Sequence, residues 1–169
     1  VNSIRRFSAE ALSALAGKIG GHGLGERLPL KGSWEFVLTD RDGKLKDYRK
    51  KDNLITDVGF QFLADASFIA SGRPAIGNYT AIGATSTAPA AGNTALGSQL
   101  ARQTNTYSYA AKVATLSTTF AAGTGTGAVV EAGILNASTA GTLLNRVTFT
   151  VINKGALDTL AVNFTLTLS

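Results

Sequence analysis

TLAVNFTLTLS, residues 159–169, sets Leu160, Val162, Phe164, Leu166 and Leu168 in strict alternation with Ala161, Asn163, Thr165, Thr167 and Ser169. Successive side chains of a strand point to opposite faces, so this is the pattern of an antiparallel strand with one buried face. Val147, Phe149 and Val151 alternate with Thr148 and Thr150 in the same way, and Asn153-Lys154-Gly155-Ala156 suits a hairpin connection between the two. Further strands are expected over 143–151, 127–135, 106–120 and 79–82, and over 34–38 and 44–48 around the turn Asp40-Arg41-Asp42-Gly43. The spacing between strands is too short for βαβ crossovers, and two antiparallel sheets packed face to face bury several such faces economically.

One helix belongs to this core. Thr56 or Asp57 caps a segment in which Val58, Phe62, Ala66 and Ile69 recur at three to four residues, giving one buried face before Gly72 and Pro74 stop it. Between Gly83 and Gln103 runs a long small-residue loop with a turn of helix expected around Leu96–Leu100; ordering it costs entropy unless it packs on a neighbour or on its own domain. The fold class expected is mainly β, an antiparallel β-sandwich over residues 32–169 with one principal packed helix and an extended N-terminal arm over residues 1–31.

In that arm, Ser8 and the stretch to Ile19 read as a short capped helix with Phe7, Leu12, Leu15, Ala16 and Ile19 on one apolar stripe, stopped by Gly20 and Gly21. Three turns alone are marginal in water, so the segment needs something to pack against. Residues 20–32 hold five glycines and one proline, the composition of an extended connector that lets the arm bind a neighbouring subunit, fold back on its own domain or stay disordered.

The net charge of +5 lies entirely in the first third: residues 1–51 carry eleven Lys/Arg against six Asp/Glu, and residues 52–169 carry five against five. Arg5, Arg6, Lys18 and Arg27 of the arm, with Arg41, Lys44, Lys46, Arg49, Lys50 and Lys51 of the first hairpin, form a candidate interface together with Leu12, Leu15 and Ile19. The hairpin cations, with Tyr48 and Trp34 nearby for stacking, would touch phosphate. Asp40, Asp42, Asp47 and Asp52 interrupt them, so the hairpin reads first as a solvated charged hairpin and next as a protein interface, and direct nucleic-acid binding is not expected.

The inventory for chemistry is thin. Among 169 residues there is one histidine, His22, in the glycine-rich connector, and no cysteine or methionine. Thiolate nucleophiles, disulfides and cysteine-bound metals are excluded. DRDGKLKDYRKK departs from a calcium loop at the fifth and twelfth positions, and GTGTGA at 123–128 precedes the β-prone Val129 and Val130, not a long helix, so it reads as a flexible hairpin tip or hinge. Asp40 with Asp42 and Asp57 with Glu131 are the available carboxylate pairs; a turn explains the first and helix capping explains Asp57. No enzyme, cofactor or metal is expected. No apolar run is long enough to cross a bilayer or serve as a secretion signal, and a non-targeted soluble protein follows.

LKGSWEFVLTDRDGKLKDYRKKDNLITDVGFQFLADA from Leu30, YTAIGATSTAPAAGNTALGSQLAR from Tyr79, EAGILNASTAGTLLNRVTF from Glu131 and TLAVNFTLTLS from Thr159 together resemble a family of small β-rich virion structural proteins of tailed bacteriophages, found as capsid decoration (cement) or tail-associated subunits. The resemblance covers nearly everything after residue 30 and implies no catalytic site. It implies self-association as a trimer or higher symmetric oligomer and attachment to the major capsid protein, on the virion surface after assembly in the host cytoplasm. A tail, baseplate or fibre-base component, bound to tail proteins, is the alternative it leaves open.

Overall fold

The computed structural model describes residues 30–168, as ten strands and one helix. The arm helix and most of its connector lie outside the described residues, as do Arg5, Arg6, Leu12, Leu15, Lys18, Ile19 and Arg27. In chain order the elements are β1 (Leu30–Thr39), β2 (Leu45–Asp52), β3 (Leu54–Ile55), α1 (Asp57–Phe68), β4 (Tyr79–Gly83), β5 (Gln99–Thr104), β6 (Thr106–Ala110), β7 (Val113–Phe120), β8 (Gly127–Leu135), β9 (Leu143–Lys154) and β10 (Thr159–Leu168). They form two antiparallel five-stranded sheets, β2-β1-β10-β7-β6 and β3-β9-β8-β4-β5, packed as a sandwich with the single helix alongside.

The alternation in β10 sets the core. Leu160, Val162 and Phe164 are buried opposite Leu38, Phe36 and Trp34 of β1, and Phe120, Ile82, Val129, Ile134, Val147 and Ile152 complete the cluster from both sheets. Trp34 lies parallel to Phe36 with centroids 5.8 Å apart and tilts against Phe164 at 5.1 Å; Phe36 meets Phe149 at 4.2 Å. Offset and tilted aromatic contacts of this kind add to the stabilisation from burial alone. Leu166 and Leu168, expected in the core, are only half-buried, and Leu166 lines an apolar crevice instead.

Several expectations are corrected. Asn153–Ala156 is not a hairpin connection, because Asn153 and Lys154 are themselves in β9 and the chain crosses there from one sheet to β10 of the other. The strand expected over 106–120 is two strands, β6 and β7, folded at Ala111 and Lys112, whose φ of 48° and 66° make the mirror-image turn that suits a tight hairpin. The helical turn expected near Leu96–Leu100 gives way to β5, because backbone pairing with β4 from Tyr79 to Gly83 satisfies more polar groups than one isolated turn. In β9 the alternation inverts: Ile152 opposes Val129 but Thr148 opposes Glu131, so extra residues are accommodated and Ile152 and Lys154 are buried while Val151 is exposed. The connector expected to reach Gly32 ends sooner, since Leu30, Lys31 and Gly32 already pair with Leu168, Thr167 and Leu166.

The N-cap of α1 is Thr56, whose Oγ1 accepts from Gly59 N at 3.1 Å and donates to Leu143 O at 2.6 Å. Gly59 lets the helix lie on β9: a Cβ there would stand 1.9 Å from Leu144 O. The face of Val58, Phe62 and Ala66 is half-buried, not buried as expected, and Ile69 is exposed beyond the last turn.

Replacing Phe164 by alanine should lower unfolding free energy by about 3 kcal/mol, the low end for a buried phenylalanine, because the hole it leaves opens into an existing crevice. Urea denaturation checks this; a loss under about 1 kcal/mol would mean that the ring is not a core element.

Candidate functional site

The most heavily constrained polar group in the described residues is Glu131, on the outer side of β8. It breaks the apolar run of AVVEAGIL and lies fully buried, with Arg146 of β9 at 3% exposure beside it. Arg146 donates Nε and Nη2 to Glu131 Oε2 at 2.9 and 2.8 Å, and its Nη1 reaches Asn93 Oδ1 at 3.0 Å. The carboxylate also accepts three backbone N–H groups: Ser98 at 2.9 Å and Thr85 at 3.2 Å on Oε1, and Gly97 at 3.2 Å on Oε2. Burial alone would push the carboxyl up, but the Ser98 amide, Arg146 and the Gly97 amide together hold it below its ordinary 4.5.

The consequence is structural. The long loop between β4 and β5 is folded over the outer face of its own domain and fastened at both ends and in the middle. Gly83 permits the close approach, since a Cβ there would stand 2.5 Å from both Glu131 Oε1 and Ser98 O. Leu96 packs in a second cluster with Ala81, Leu135, Leu143 and Tyr79. The loop in turn holds the helix, because Ala91 O accepts the Asp57 amide at 2.9 Å. The carboxylate pairing of Asp57 with Glu131 weighed from the sequence is thus replaced by Glu131 with Arg146. The signal for it was legible: two opposite charges interrupting the apolar runs of two adjacent strands, at positions that share a sheet face.

The helix so held roofs an apolar crevice of about 430 Å³ at the open end of the sandwich. Gly59, Phe62 and Ala66 of α1 form one wall, and Leu116, Phe164 and Leu166 of the first sheet form the other. Asn78, Asn105 and Asn145 are its amide-bearing residues, and Asn145 Oδ1 is buried without a partner. At and near the mouth stand Ile76, 72% exposed, and Tyr107, 67% exposed.

The six basic hairpin residues do not form one face. Residues directly opposite on paired strands share a face, and Arg49 and Lys51 stand opposite the inward Phe36 and Trp34, whereas Lys50 stands opposite the outward Glu35. Several are partnered: Lys46 Nζ with Asp158 Oδ2 at 2.6 Å, Arg41 with Asp42 at 3.7 Å, and Arg49 with Asp47. Lys44, Lys50 and Lys51 have no carboxylate partner among the described residues. Hydrogen bonds from Lys46 and the Gly155 amide hold Asp158 below its ordinary range. Glu35 is likewise lowered by hydrogen bonds from Tyr48 and Asn163, while its acceptance of the Tyr48 hydroxyl proton raises that phenol.

The turn reading of Asp40 holds in detail: its Oδ1 accepts the amides of Asp42 and Lys44, both at 2.9 Å. GTGTGA is not a hairpin tip, because β7 and β8 belong to different sheets; it is the hinge at which the chain crosses from one sheet to the other, with Gly123, Gly125 and Gly127 at positive φ. His22 lies outside the described residues. Among the described residues no three His, Asp or Glu side chains gather as a metal site, and no helix is long and apolar enough to cross a membrane. Comparison of the chain with protein-family models, curated proteins and solved structures finds no match.

Substituting Glu131 by glutamine leaves Arg146 buried without its counter-charge and should cost about 3 to 5 kcal/mol at neutral pH. The folded state holds this carboxyl below its ordinary value, so its contribution is complete above pH 4.5 and is lost as pH falls through the lowered folded value. Denaturant titrations between neutral and acid pH should therefore show a shallower acid decline in Glu131→Gln than in the parent, with a residual slope from Asp158 and Glu35. Equal slopes in the two proteins would refute the assignment.

Proposed function

We propose that this chain is a structural subunit of a tailed-bacteriophage particle, a capsid decoration or cement protein that binds the assembled head as a symmetric oligomer. The observation that carries the reading is β6. All five of its residues, Thr106–Ala110, are exposed and uncharged, among the described residues it pairs only with β7, and it presents Tyr107 and Tyr109 at the edge of the described sheet. Isolated soluble domains blunt such edges with charge or cover them. The opposite edge of the same sheet is blunted in that way, by Lys46, Asp47, Arg49, Lys50, Lys51 and Asp52 of β2.

The outer face of that sheet supports the same reading. Asn163 and Thr165 of β10, Thr115 and Ser117 of β7, and Thr106 and Ser108 of β6 stand side by side across it. Short polar side chains on a flat sheet can pack against protein with a small loss of hydration and little side-chain entropy. The buried polar groups serve the scaffold: Lys154 Nζ, for example, donates to Ala121 O at 3.0 Å and Asp158 O at 2.6 Å, closing the turn before β10. Lys44, Lys50 and Lys51 then supply a positive rim that steers the subunit toward an acidic surface.

The test is co-sedimentation of the purified protein with phage heads and, separately, with tails, alongside its mass in solution by light scattering. The expected result is an oligomer that binds heads and slows their disruption by heat. Ser108→Lys with Tyr109→Lys should leave the fold intact and abolish the oligomer. A monomer that binds neither particle overturns the reading, and binding to tails alone moves it to the tail.

A further inference from the structure

The hairpin that joins β6 to β7 decides which backbone groups of β6 face away from β7. Ala110 and Val113 are partners across a two-residue turn, Ala111 and Lys112, so the Val113 amide closes the turn on the Ala110 carbonyl. Backbone groups alternate sides along a strand. Ser108 and Thr106 therefore also turn their N–H and C=O toward β7, while Tyr107 and Tyr109 turn theirs toward the edge of the described sheet. Asn105 continues the outward series, and its amide donates to Asn78 O at 2.8 Å. The outward N–H and C=O groups of Tyr107 and Tyr109 stand together on an uncharged, exposed strand, without a backbone partner among the described residues.

We propose that a second copy of this chain pairs with β6 about a two-fold axis through Ser108, setting Tyr107 of each copy opposite Tyr109 of the other; the pairing rests on the reading of β6 as the assembly edge and supplies its register. A two-fold axis perpendicular to a sheet pairs an edge with itself antiparallel. Centred on Ser108, each Tyr107 and Tyr109 contact exchanges a pair of backbone hydrogen bonds, so every outward group of both tyrosines is satisfied. Centred on Tyr107, the axis would set Tyr109 opposite Asn105, whose amide is already committed to Asn78 O. Centred on Tyr109, it would set Tyr107 opposite Ala111, whose φ of 48° takes it out of the extended conformation.

The side chains favour the same occupant. Tyr107 stands opposite Leu116, which packs on the core, so both tyrosines project from the face of the first sheet that carries the second. The axis keeps that face common to the two copies, and each Tyr107 ring then lies beside a Tyr109 ring as a cross-strand aromatic pair. The Lys112 residues go to opposite ends of the joint, with Cα atoms roughly 27 Å apart, where salt screens their repulsion. A charged strand from another protein finds no counter-charge in β6, and a second β6 needs none.

The chain has no cysteine, so single substitutions in the full-length protein read the register. Directly opposed residues that exchange no hydrogen bonds have Cα atoms about 4.5 Å apart, within the span of a disulfide. Under mild oxidation Ser108→Cys is expected to form a disulfide-linked dimer at least about tenfold faster than Thr106→Cys or Ala110→Cys alone, each of which stands roughly 14 Å from its own mate. Thr106→Cys mixed with Ala110→Cys, one of them carrying a mass tag, is expected to give a mixed dimer at a rate near that of Ser108→Cys. Equal rates for the three single substitutions, a mixed product no faster than the single ones, or no dimer of Ser108→Cys would each overturn the pairing, the last by leaving the edge to another strand. The reaction needs no particle. A Ser108→Cys protein that cross-links but sediments with neither heads nor tails keeps the pairing and removes the particle reading, and one that sediments without cross-linking does the reverse.

Discussion

A carboxylate that takes two hydrogen bonds from an arginine and three from backbone amides is the constraint on which the rest of this molecule depends. Glu131 and Arg146 sit on adjacent strands, so the sheet itself brings them together. Each alone would be a buried charge of high cost; together they offset each other, with Asn93 and the amides of Thr85, Gly97 and Ser98 adding hydrogen bonds to the pair. The carboxylate thereby converts a loop with no core of its own into a fixed cover. That cover positions the first turn of α1 through Ala91, and α1 roofs the crevice. Charge, loop, helix and crevice form one chain of dependence.

How much of this is legible in the sequence differs from element to element. The alternation of β10, the Thr56 cap and the Asp40 turn are local signals, each written in residues that touch one another, and the structure follows them. The hairpin at Ala111–Lys112 carries no glycine or asparagine to announce its positive φ, and therefore reads as an uninterrupted strand. β5 forms because β4 offers a partner, and Leu96 turns inward because Ala81 and Leu135 leave it space. The inversion within β9 is decided by its pairing with β8. Information of that kind resides in contacts between strands, where the period of one segment is silent.

The basic hairpin shows a related limit. A count of charges along the chain assembles Arg41 through Lys51 into one patch, but a strand sends neighbours to opposite faces, and Asp47 and Asp158 neutralise two of the cations. What remains distinctive on the surface is the uncharged edge at β6 and the crevice beside it. Both are places where the described residues stop short of covering themselves.

Hydrogen exchange of the Glu131→Gln protein tests the chain of dependence most directly. If the carboxylate organises loop and helix together, the amides of Thr85, Gly97, Ser98 and Asp57 lose protection as a group, by at least about tenfold more than those of Val162 and Phe164 in the core. If the Asp57 amide keeps its protection while the three loop amides lose theirs, or if all four exchange in step with the core, Glu131 is not the element that holds this end of the sandwich in place.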